Sequence, residues 1–106
     1  MKKLSVSAIK IMIWKADIEI YVSKDMLETK TSLGEQSGNK IVLSPNIVSL
    51  KELLDTACHE ILHYVLPELD EDEIRKLTKK VMQSLTKTEK LHLFLKIGEH
   101  LKKVEI

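Results

Sequence analysis

Apolar residues recur at helical spacing between Ser49 and Leu66, where Leu50, Leu54, Ala57, Cys58, Ile61 and Val65 form one aliphatic stripe. Ser49 followed by Glu52 reads as a capping box, Val48 and Leu53 as its hydrophobic staple, and Pro67 as the stop. A second helix start follows at once. Asp70 suits the N-cap, Glu73 the reciprocal acid and Leu69 with Ile74 the staple, ahead of an apolar face of Ile74, Leu77, Val81 and Leu85. The last segment, 86–106, opens on another possible box, Thr86 with Glu89. Leu91, Phe94, Leu95, Gly98 and Leu101 fit a helix there, yet Leu91, Leu93, Leu95 and Ile97 alternate, so the segment is apolar on more than one face.

The first half reads as strands. Residues 4–14 support two patterns: Val6, Ile9, Ile13 and Ala16 fit a helix, whereas Ile9, Ile11 and Ile13 alternate, and the β-branched content leans towards a strand. Asp17 to Val22, Met26 to Leu33 and Lys40 to Ser44 read as three strands, with the Gly34–Asn39 stretch as a hairpin connection. Pro45 cannot donate to a ladder, so the third strand ends there or lies at a sheet edge. An edge at Lys40–Ser44 would suit strand addition by an extended peptide; it reads equally well as the last strand of a small sheet. The expected fold class is α+β: a small antiparallel sheet of about three strands, the stripe helix, an acidic second helix and a C-terminal segment, in one domain spanning 1–106.

The stripe helix carries candidate chemistry. His59-Glu60-Ile61-Leu62-His63 is an H-E-x-x-H pattern, and its two histidines fall roughly opposite the centre of the stripe. Four residues apart on a helix, they point from one face and can reach one metal ion, with Glu60 beside it as a proton acceptor. A lone helical histidine is ordinarily just solvated or satisfied. Two at this spacing, away from the aliphatic face and with the acid in place, point to a metal. The acids at the second helix start suit its dipole whatever else they do. Among them Glu71 is favoured as third protein ligand and Glu73 is the runner-up, since the capping box already engages Glu73. His92 and His100 have no ligand spacing around them and read as ordinary histidines.

Composition adds bounds. The 106 residues carry 43% hydrophobic and 31% charged side chains, ordinary for one globular domain. A net charge of +1 gives no electrostatic case for nucleic acid, and no apolar run is long enough for a membrane span. The single cysteine, Cys58, cannot form an internal disulfide and suits a reducing cytoplasm.

With its H-E-x-x-H helix followed by Glu71 and Ile74 on the next helix, the chain resembles the gluzincin zinc metallopeptidases. Its short length and element order resemble the minigluzincins, minimal soluble members of that group. Arg75 departs from the pattern, standing where an acid or Asn is usual, and so removes an expected partner for a ligand. The resemblance implies a zinc endopeptidase in which His59, His63 and Glu71 bind zinc, Glu60 is the general base, and a peptide or unfolded protein is substrate. It also implies a latent zymogen whose C-terminal segment, about 88–106, covers the cleft of its own or a neighbouring molecule. A non-catalytic module stabilised by zinc is the alternative.

Overall fold

The computed structural model describes residues 4–29 and 31–102. Helix α1 (Val6–Lys15) precedes strands β1 (Glu19–Val22), β2 (Gly34–Ser37) and β3 (Lys40–Leu43), and helices α2 (Leu50–Val65), α3 (Glu71–Ser84) and α4 (Lys87–Glu99) follow. The class is α+β, with four helices and one three-stranded sheet among the described residues.

The ambiguous first segment is a helix, not a strand. Ser5 Oγ caps it by accepting from the Ala8 N–H at 3.1 Å. Ile9 and Ile13 are 3% and 1% exposed, while Ile11, which a strand would place with them, is 51% exposed. Burial of a stripe at helical spacing here outweighs the β-branched preference.

The sheet is mixed rather than antiparallel. Its order is β1-β3-β2, with β1 parallel to β3 and β2 antiparallel to it. The strand expected over Met26–Leu33 does not form among the described residues. Instead β2 occupies Gly34–Ser37, within the expected connection, and the chain reverses at Gly38 (φ +56°) and Asn39. Glu35 explains part of this: its carboxylate accepts from the Glu28 and Thr29 N–H groups at 2.6 and 2.9 Å, so a side chain engages donors that a ladder would need.

Lys40–Ser44 is central and not an edge. Ile41, Val42 and Leu43 are all buried, the continuous apolar run of a strand covered on both faces. Pro45 follows the end of that strand. The outer edge of β1 is occupied as well, because Ile20 N–H donates to His100 O at 3.0 Å and Lys102 N–H donates to Ile20 O at 2.7 Å. The outer edge of β2 has no backbone partner among the described residues.

Helix α2 runs through the core. Leu54, Ala57, Cys58, Ile61 and Leu62 pack with Ile20, Ile41 and Leu43 of the sheet and with buried residues of the other three helices. Each leucine or isoleucine so buried contributes about 1.5–3 kcal/mol. Leu50, expected in the stripe, is 57% exposed, and Leu62 is buried instead.

The C-terminal segment forms α4. It buries Leu93 and Ile97, and its Lys96 ammonium donates to Trp14 O and Ala16 O at 3.2 and 2.8 Å, closing the end of α1. Residues 87–102 thus lie against α1, α2 and the β1 edge. No described helix is long and apolar enough to cross a membrane.

Candidate metal centre

The helix carrying the motif starts where expected. Ser49 Oγ accepts from Glu52 N–H at 3.1 Å, although Glu52 reaches back to the Val48 N–H at 3.3 Å rather than to Ser49. The staple is absent, since Val48 is 88% exposed. From this start His59 and His63 fall on the face turned from the core, their rings edge to face with centroids 4.9 Å apart.

Helix α3 delivers the carboxylate. Asp70 Oδ1 accepts from Glu73 N–H at 2.8 Å and Glu73 Oε1 accepts from Asp70 N–H at 3.2 Å, a complete capping box. That bond holds Glu73 at the helix cap. Glu71, two residues earlier, meets both imidazoles: Oε1 lies 2.8 Å from His59 Nε2 and Oε2 lies 2.8 Å from His63 Nε2. Partial burial pushes the Glu71 carboxyl up, but the two histidines outweigh it and hold the group below its ordinary range. Arg75 lies one turn on, its Nη2 3.6 Å from Glu71 Oε1.

One ligand atom each of His59, His63 and Glu71 lies within 4.8 Å of the others. Two imidazole nitrogens and a carboxylate oxygen are the donor set of a catalytic zinc site, which keeps a further position open. The residues therefore fit zinc.

Glu60 stands beside this trio on α2, with 9% of its surface exposed. Strand β2 crosses it closely: a Cβ on Gly34 would lie 2.6 Å from Thr56 Cγ2 and 3.3 Å from Glu60 Cγ. Burial, then the charges of Glu71 and Glu35, raise the Glu60 carboxyl from 4.5 to about 7. An acid so tuned is matched to exchanging protons near neutral pH.

His59 has a further neighbour from α3. Thr78, 4% exposed, places Oγ1 3.4 Å from His59 Nδ1 and donates its own hydrogen to Ile74 O at 2.8 Å. The site opens into a cleft of about 1050 Å³, walled by β2 on one side and by α2 and the start of α3 on the other. No residue of 86–102 lines it, so the described part of the tail does not cover it; residues 103–106 lie outside the described chain.

The other histidines sit elsewhere. His92 is exposed on α4, and His100 Nδ1–H donates to Ile18 O at 2.9 Å. Tyr64 packs against the core and Tyr21 donates to Glu19 at 3.3 Å. Sequence reasoning missed Gly34, Thr56 and Thr78. Only Thr78 left a trace there, lying seven residues after Glu71 and so on the same helical face.

A scan of protein-family models, a search of curated proteins and a search of solved structures each return no match to the chain. The resemblance to minigluzincins rests on the motif residues and their order alone.

Proposed function

We propose that this chain is a zinc-dependent endopeptidase of the minigluzincin type, with His59, His63 and Glu71 as protein ligands and Glu60 as general base. The observation that carries the reading is the meeting of those three donor groups beside a buried glutamate in the wall of an open cleft. When bound, zinc makes a water acidic and polarises a peptide carbonyl. Glu60, buried beside the donor trio, would serve as the proton carrier, accepting a proton from the attacking water and handing it to the departing amine. A closed structural ion would need neither an adjacent base nor a cleft.

The substrate strand has a different place from the one expected at Lys40–Ser44, whose edges are both paired. Leu33 O accepts from Ser44 N–H on the β3 side, and alternation turns the peptide groups of Gly34 and Gln36 to the outer side, where Gly34 O also accepts from Ser32 Oγ at 2.9 Å. An extended peptide or unfolded protein segment adds to this β2 edge and passes over Glu60 and the histidines.

The test is Glu60→Gln. The variant is expected to hold as much zinc as the parent and to lose cleavage of an unstructured protein by several orders of magnitude. Equal cleavage by both proteins would reject the peptidase reading.

A further inference from the structure

Helix α3 meets His59 on both sides of its ring. Glu71 lies at Nε2 and Thr78 at Nδ1, 2.8 and 3.4 Å away. The two residues are seven apart, which returns to nearly the same helical face, so one face of α3 holds the whole imidazole.

We infer that Thr78 is a positioning residue that selects Nε2 of His59 as the atom presented to a metal, an inference that rests on the zinc reading above. The argument is one of donors and acceptors. A threonine hydroxyl has one hydrogen and two lone pairs. Here the hydrogen goes to Ile74 O at 2.8 Å, the carbonyl one turn earlier in the same helix. Towards His59 the oxygen therefore accepts, and the ring nitrogen facing it carries the proton. With Nδ1 protonated, a neutral His59 has its lone pair on Nε2, the atom that points at Glu71 and His63, and so would present it to a metal standing between them. Thr78 is 4% exposed, so water does not replace it easily.

Arg75, between Glu71 and Thr78 on α3, does not take this part. That side chain is 69% exposed and turns to Glu71, its Nη2 3.6 Å from Oε1. A supporting group behind a metal-binding imidazole fixes its tautomer and ring orientation, and its loss typically costs about 10–100-fold in metal affinity. Thr78 supplies such a group from one turn deeper in the helix.

The experiment compares zinc affinity, by competition with a coloured chelator, for the parent, Thr78→Val and Thr78→Ser. Val keeps the shape and removes the acceptor, whereas Ser keeps the hydroxyl. Thr78→Val is expected to weaken zinc binding about 10–100-fold, and Thr78→Ser to stay within about threefold of the parent. Nitrogen NMR of His59 should show the Nδ1–H tautomer in the zinc-loaded parent and Thr78→Ser proteins. The helical signal of the metal-free proteins controls for folding. Equal affinity of Thr78→Val and parent overturns the inference and leaves the zinc reading standing; so does an equal loss in both variants. A parent that takes up no zinc overturns the zinc reading and this inference together.

Discussion

Gly34 and Thr56 touch so closely that any side chain on the glycine would meet the threonine methyl, with a Cβ only 2.6 Å from Thr56 Cγ2. The contact seats the free edge of β2 directly against the helix that bears Glu60. Thr56 is β-branched and has only two χ1 rotamers open to it in a helix, so its methyl has little room to retreat. Gly34→Ala is expected to destabilise the fold by about 1–3 kcal/mol, the usual cost of overpacking. Thr56→Ser removes the clashing methyl, so Gly34→Ala with Thr56→Ser should recover most of that loss in denaturant unfolding. A double variant no better than Gly34→Ala would show that the contact does not set the strand's position.

The ligand assignment separates two neighbouring acids. Glu71→Ala should weaken zinc binding by more than the 10–100-fold that a supporting group costs, because it removes a group that meets both imidazoles. Glu73→Ala should leave zinc affinity unchanged and cost about 1 kcal/mol of stability through the lost cap. Chelator competition and thermal unfolding of the two variants check this, and the reverse pattern would exchange their roles.

Without metal, Glu60 makes stability depend on pH. Its folded-state value of about 7 lies above the ordinary 4.5, so between these the folded chain keeps a proton that the unfolded chain has released. Stability at this group is therefore greatest below pH 4.5 and falls as pH rises to about 7, by at most roughly 3 kcal/mol. Glu71, held below its ordinary range, acts in the opposite sense at lower pH. Glu60→Gln should remove the decline between pH 5 and 7 in urea titrations of the metal-free protein. A decline unchanged by the substitution would assign it to another group.

The C-terminal helix bears on latency. Leu93 and Ile97 are 1% and 6% exposed, and Lys96 ties α4 to the end of α1. Truncation before Leu91 removes all three, and loss of the two aliphatic side chains alone should cost several kcal/mol. The expected outcome is loss of helical signal and no gain in cleavage. A truncated chain that stays folded and cleaves faster would make the tail a removable cover.

What was legible in the sequence was local. The α2 and α3 boundaries follow from Ser49, Pro67 and the Asp70–Glu73 box, whose bonds span three residues, and the histidine pair follows from helical spacing alone. The sheet was not legible in this way. Parallel pairing of Glu19–Val22 with Lys40–Leu43 joins segments about twenty residues apart, and no local pattern announces it. The burial of β3 on both faces gave an unbroken Ile-Val-Leu run that reads equally as edge or centre. In α1, β-branched isoleucines masked a helix that exists because Ile9 and Ile13 find a core. The approach of Glu71 to both imidazoles accords with Glu73 capping its own helix, whereas Gly34 depends on a tertiary approach that a sequence does not record.

The most direct test is a crystal structure of the zinc-soaked protein with data collected on both sides of the zinc absorption edge. One anomalous peak is expected, at about 2.0–2.2 Å from His59 Nε2, His63 Nε2 and a Glu71 oxygen, with Glu60 near but not bonded. A fully zinc-loaded crystal with its peak elsewhere, or with Glu60 as a direct ligand, would contradict the assignment of these four residues.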